Sequence, residues 1–194
     1  MTAALKPKLV ILISGRGSNM QSIVKAIQAN ELDAEVAAVI SNCPNAAGLK
    51  FAQQSDIATR TLDHKNFASR EAFDEQLMKL INSFTPDYVV LAGFMRILSA
   101  GFVKHYANKL INIHPSLLPK FKGMHTHKRA IEAGEKEHGA TVHFVTEELD
   151  AGPVILQAKV PVLENDTEEA LAARVLIEEH KLYPDALRLL IQQN

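Results

Sequence analysis

Leu9-Val10-Ile11-Leu12-Ile13, followed at once by Ser14-Gly15-Arg16-Gly17-Ser18-Asn19, decides how this chain folds. Five aliphatic residues in a row suit a strand covered on both faces, because a strand with one wet side would alternate apolar and polar positions. The glycines mark a tight turn, and 20–30 then places Met20, Ile23, Val24 and Ile27 on one face of a helix. A second strand is predicted over 36–40, which completes a βαβ unit.

The same alternation continues. A helix over 69–84 buries Phe73, Leu77, Leu80 and Ile81, and Pro86 stops it ahead of a strand over 88–91. A short helical stretch at 102–106 precedes another strand over 110–113. Strands alternating with helices predict an α/β, Rossmann-like fold, a mostly parallel sheet with helices on both faces and functional groups at the C-terminal strand edge. The last third differs. Segments 140–145 and 154–162 have no helix between them, only the loop Glu147-Glu148-Leu149-Asp150-Ala151-Gly152-Pro153, so an antiparallel pair is predicted there. In Asp166-Thr167-Glu168-Glu169 a side-chain acceptor precedes a carboxylate by three residues, the capping-box form that opens a long final helix. With no repeat or linker, residues 1–194 read as one domain.

Composition narrows the function. A chain of 194 residues with 47% hydrophobic side chains can bury one core. Its 21 Lys and Arg against 22 Asp and Glu create no protein-wide field to gather nucleic acid or an anionic membrane, so any anion must be held locally. The single Cys43 forms no internal disulfide and no thiolate cage, and reads as a small buried residue rather than a nucleophile. Residues 1–8 are interrupted by Pro7, and the apolar run 9–13 is too short for a signal-peptide core or a membrane span. A soluble cytoplasmic protein is expected.

Three places carry candidate chemistry. At Gly15-Arg16-Gly17-Ser18-Asn19, the junction of strand and helix, backbone amides are unpaired, the helix dipole adds positive charge, and glycine allows a phosphate close approach. Met20 stands near the place of the third glycine of the dinucleotide fingerprint, and no Walker lysine is present, which favours a mononucleotide phosphate over NAD or ATP. An ordinary βα turn capped by Ser18 or Asn19 uses the same residues. At the end of a buried strand, Asn112 and His114 share a face, and an amide donor beside a protonatable imidazole suits an oxyanion formed in acyl transfer. A strand-end histidine satisfied by solvent fits equally. Asp150, in the loop between the late strands, would orient and charge a histidine beside it, or else make a local turn.

The remaining candidates point elsewhere. His125 and His127 lack the i, i+4 zinc spacing, so no metal site is expected. Lys120, Lys122, Lys128 and Arg129 make a basic stretch that reads as a solvated surface or as a contact for an anion or polyglutamate.

Taken together, the segments Ile13 to Asn19, Gly93-Phe94-Met95-Arg96-Ile97-Leu98, Ile111 to Pro119 and Glu148 to Ile155 resemble the phosphoribosylglycinamide formyltransferase family, from about residue 8 to the final helix. The resemblance implies transfer of a formyl group from 10-formyltetrahydrofolate to the amine of 5'-phosphoribosylglycinamide in de novo purine synthesis, with folate as cosubstrate and no tightly bound cofactor. It implies a catalytic group of Asn112, His114 and Asp150, and a ribonucleotide site of Gly17, Ser18, Asn19, Leu176, Ile177, Glu178 and Glu179. It implies a folate site bordered by Arg70, Met95, Arg96, Ile97, Leu98, Asn112, Thr146, Glu147, Glu148, Leu149 and Asp150, in a monomer or weak homodimer whose partners are small molecules. Arg16 stands at a variable position, and Ala151 where a second glycine is frequent. Methionyl-tRNA formyltransferase adds a C-terminal tRNA-binding domain, and formyltetrahydrofolate deformylase an N-terminal regulatory one; the 194 residues suggest neither. A non-catalytic folate or nucleotide binder would keep the pocket and need neither His114 nor Asp150.

Overall fold

The computed structural model describes residues 5–193; residues 1–4 of the N-terminal stretch read above lie outside the described residues. Strand β1 (Lys8–Ile13) is the hub, and residues 9–13 are fully buried. Its alternation divides the core between two layers. Leu9, Ile11 and Ile13 pack with Met20 and Ile23 of α1 (Ser18–Gln28), Leu49 of α2 (Ala47–Gln54), and Val175 and Leu187 of α6 (Glu168–Gln192). Val10 and Leu12 join Phe73, Leu77 and Ile81 of α3 (Arg70–Asn82) and Phe102 of α4 (Ala100–His105). Burying each such side chain is worth about 1.5–3 kcal/mol, so the covered strand is a principal anchor of the fold.

Around β1 runs a seven-stranded sheet of order β3-β2-β1-β4-β5-β6-β7, with β2 at Glu35–Ser41, β3 at Thr59–Thr61, β4 at Tyr88–Leu91, β5 at Leu110–His114, β6 at Glu137–Phe144 and β7 at Val154–Pro161. Every pair from β3 to β5 is parallel, β6 is antiparallel to β5, and β7 is antiparallel to β6. This is the Rossmann-like architecture, mostly parallel with an antiparallel C-terminal pair. The chain leaves β1 toward β2 on one side and returns to β4 on the other, so a crevice opens above the ends of β1 and β4.

Several boundaries differ from expectation. Helix α1 begins at Ser18, because Gly17 takes a left-handed φ of 65° and is itself the N-cap, without a side-chain cap bond. Ser18 and Asn19 therefore lie in the first turn and do not cap it. The cap of α6 is Thr167, whose Oγ1 accepts from the Ala170 N–H, and not Asp166. Asp166 instead takes both guanidinium nitrogens of Arg174, at 2.6 and 2.8 Å, and accepts from the Leu163 N–H. Helix α2, strand β3 and a 3₁₀ turn at His64–Asn66 are additional to the elements expected, and Lys128 and Arg129 lie on a short helix α5 (Thr126–Glu132). Beneath the crevice, the fully buried Tyr183 donates its hydroxyl to the carbonyls of Leu91 and Ile111, tying α6 to β4 and β5.

Candidate active site

Loop 14–19, with Ala92, Gly93 and Met95, lines a cavity of about 310 Å³ over the crevice. The first N–H groups of α1 have no partner in their own helix, which makes this end a place for an anion. Gly48 holds the loop from behind. Its N–H donates to the Gly15 carbonyl at 3.0 Å, and a Cβ there would meet Ile13 Cδ1 at 2.6 Å and the Arg16 carbonyl at 2.9 Å. Only glycine allows so close an approach.

Asn19 joins this cavity to α6. Its Nδ2 donates to Glu179 Oε2 at 2.8 Å in a buried bond, while Asn19 Oδ1 is buried without a partner. Burial raises the Glu179 carboxyl above its ordinary value, and the bond from Asn19 opposes that in part. Of the four α6 residues expected at the ribonucleotide, Glu179 is thus the one joined to the loop. Leu176 is half-buried, Ile177 is 58% exposed, and Glu178 pairs with Lys181 at 2.9 Å.

At the end of β5 the second group assembles. His114 Nδ1 lies 3.5 Å from Asp150 Oδ2, and both side chains are only 8% exposed. His114 Nε2 is 2.9 Å from the Phe121 carbonyl, an acceptor that requires this nitrogen to carry a proton. Asp150 Oδ2 also accepts from the Gly123 N–H at 2.9 Å, and Asp150 itself takes a left-handed φ of 48°, so its orientation is set by both backbone and partner. Asn112, half-buried, precedes His114 by two positions on the same strand. Gly152 passes against the Phe144 carbonyl where no Cβ would fit, whereas Ala151 needs no special conformation.

His143 was not anticipated from sequence. Antiparallel pairing places it opposite Asn112, and its Nε2, buried and without a hydrogen bond, lies 3.9 Å from Asp150 Oδ1. Burial lowers its pKa. Only the register of β6 on β5 could have revealed this neighbour.

The expected folate border is open. Met95 and Ile97 are 73% and 70% exposed, whereas Leu98 packs into the α3–α4 core. Arg96 lies over the Phe73 ring, and Arg70, at the start of α3, stands 3.6 Å from Glu71. On the 146–150 loop, the Thr146 hydroxyl donates to the Glu148 carbonyl, Glu147 pairs with Lys104, Glu148 pairs with Lys122, and Leu149 is exposed.

The basic stretch is largely neutralised: Lys120 pairs with Glu135, Lys128 stands 3.8 Å from Glu132, and Arg129 donates to the Lys122 and Met124 carbonyls. His127 Nδ1 lies 3.1 Å from His138 Nε2, and His125 is the left-handed residue before α5. Among the described residues, no group of three or more His, Cys, Asp or Glu is placed to hold a metal, and no helix is long and apolar enough to cross a membrane.

A doubly wound sheet thus carries an open helix end and a histidine–carboxylate pair at one strand edge. The chain belongs to the formyl transferase family, whose profile matches residues 7–187. It is similar to the phosphoribosylglycinamide formyltransferase of Escherichia coli, 57% identical over 176 residues, which is 91% of this chain and 83% of that one. It is 46% identical over 184 residues to the human trifunctional purine biosynthetic protein adenosine-3, covering 95% of this chain and 18% of that much longer protein. Among solved structures, the phosphoribosylglycinamide formyltransferase of Coxiella burnetii superposes with a TM-score of 0.90 at 51% identity, over 94% of this chain and 86% of that one. Glycinamide ribonucleotide transformylase 1 of Symbiobacterium toebii gives 0.95 at 41%, over 98% and 90%.

Proposed function

We propose that this chain transfers the formyl group of 10-formyltetrahydrofolate to the amine of 5'-phosphoribosylglycinamide, acting as one cytoplasmic formyltransferase unit of purine synthesis, monomeric or weakly dimeric. The observation that carries the reading is the joint placement of the glycine-loop cavity and the His114–Asp150 pair on one strand edge. The ribonucleotide phosphate sits on the amides of Gly17, Ser18 and Asn19. Anchored there, the substrate holds its free amine toward the formyl carbon of the folate.

Amine attack forms a new C–N bond and a tetrahedral oxyanion. The Asn112 amide and the His114 imidazole stabilise that charge, while Asp150, held by the Gly123 N–H, supports the imidazole as it gains a proton. Collapse breaks the bond from the formyl carbon to the folate nitrogen; the proton lost by the amine ends on that nitrogen. No covalent enzyme intermediate is required.

A formyl-transfer assay on purified protein, comparing glycinamide ribonucleotide, charged initiator tRNA and water as acceptors, tests the assignment. Transfer to the ribonucleotide alone is expected. Formate release without an acceptor would instead make the chain a hydrolase.

A further inference from the structure

Ser14 clamps the far wall of the cavity twice. Its N–H donates to the Gly93 carbonyl at 3.1 Å, and its Oγ accepts from the Met95 N–H at 2.8 Å. A hydroxyl has one proton, and that of Ser14 goes to Asn42 Oδ1 at 2.6 Å. The almost fully buried Asn42 must therefore turn its NH₂ the other way, where His64 Nδ1 lies 3.1 Å from Nδ2. Donation thus runs in one direction, from Met95 to Ser14 to Asn42 to His64, and bonds aligned in this way strengthen one another.

His64 does not line the cavity; it stands at the accepting end of a chain of bonds whose direction the Met95 N–H sets. Its Nδ1 is also 3.0 Å from the Asn42 backbone carbonyl. A bare Nδ1 accepts the Asn42 amide and completes the chain. A protonated Nδ1 donates to the carbonyl instead and leaves the Asn42 NH₂ without that acceptor. The 3₁₀ turn holds the ring in place, since Asp63 caps the turn by accepting from the Lys65 N–H at 3.0 Å.

We infer that His64 is a positioning residue for the ribonucleotide pocket, acting through Asn42 and Ser14 to hold the Gly93–Met95 wall against the glycine loop. The inference rests on the reading of that cavity as the phosphate site. His64→Leu removes the acceptor while keeping bulk; it is expected to raise the ribonucleotide KM roughly three- to tenfold, the scale of one lost hydrogen bond, and to move kcat by less than about twofold. His64→Asn, whose Oδ1 can stand in for Nδ1, is expected to restore the parent values. Ser14→Ala combined with His64→Leu is expected to be no worse than Ser14→Ala alone, because both break one chain. In the unsubstituted protein, ¹⁵N shifts of His64 are expected to show the proton on Nε2 and a bare Nδ1. A proton resident on Nδ1, an unrescued His64→Asn, or losses that multiply in the double variant would overturn the inference. If Asn19→Leu raises the ribonucleotide KM and His64→Leu does not, the pocket stands and the role of His64 falls. If neither does, the pocket assignment has failed and takes the inference with it.

Discussion

Asn19 and Glu179, 160 positions apart, meet in a buried hydrogen bond of 2.8 Å that joins the first turn of α1 to α6. Glu179 is the weaker partner for stability, because burial raises its carboxyl pKa. A raised folded-state value means stability that is full below the ordinary carboxyl range and lost as pH rises through the shifted one. Glu179→Gln keeps an acceptor for Asn19 without the charge. Its Tm at pH 8 is expected to equal or exceed the parent's while the ribonucleotide KM rises. Asn19→Leu is expected to raise that KM more than the folate KM. Equal weakening of both substrates by Asn19→Leu, or a lower Tm in Glu179→Gln, would count against this role.

Asp150 offers a clean separation of binding from turnover. Asn adopts the left-handed backbone at least as readily as Asp and can still accept from the Gly123 N–H, so Asp150→Asn removes charge and little else. Its kcat is expected to fall by on the order of a hundredfold with folate affinity nearly unchanged. His114→Ala is expected to match it, and the double variant to lose far less than the product of the two. Near-normal turnover in Asp150→Asn would return this residue to a loop-turn role.

Acid is expected to unfold the protein through its buried histidines. Burial, with His127 next in order, lowers His138 to about 4, and burial also lowers His127 and His143. A depressed folded value gives stability that is present above the ordinary histidine pKa of about 6.5 and lost as pH falls toward the shifted one. Melting temperatures measured from pH 8 to pH 4 should therefore begin to fall below about pH 6.5. His138→Gln should flatten that slope, and an unchanged slope would exclude the imidazole. The Asp166 contribution is separable, since the hydrogen bonds from Arg174 lower that carboxyl to about 2 and its loss belongs to stronger acid.

Tyr183→Phe probes the tie under the crevice. Losing the hydroxyl leaves two buried carbonyls with one donor fewer, which is expected to cost about 1–2 kcal/mol, or roughly 2–8 °C in Tm for a chain of this size. Specific activity of the folded fraction should stay near the parent value. A Tm indistinguishable from the parent's would mean that these bonds contribute nothing net.

Much of this was legible in the sequence, and the physical reason is the strength of local pattern. The fully buried 9–13 run leaves an unbroken apolar stretch, the α1 face of Met20, Ile23 and Val24 a helical period, and the late antiparallel pair a connection too short for a helix. His114 and Asp150 could be named as candidates, but their 3.5 Å approach depends on how β6 and its loop return over β5. Helix α2 escaped notice because it buries only Gly48, Leu49 and Ala52 and lacks a side-chain cap. Strand β3 has three residues, too few for a period. Asp166 looked like a cap because its spacing to Glu169 is right; Arg174, one turn and more into the helix, outcompetes the backbone for it.

Helix α6 follows every strand of the sheet along the chain, and it packs beside α1 and over β6 and β7 with Leu171, Val175, Leu182, Tyr183, Ala186, Leu187 and Leu190 buried. All seven strands have left the ribosome before these 25 residues follow, so one apolar face waits uncovered in the nascent chain. Such a face attracts chaperones and invites aggregation. A premature stop within α6 before Glu179 would therefore yield an insoluble product and remove the partner of Asn19 together, so that copies cut short there are not expected to persist as substrate-binding competitors of the chain that carries α6.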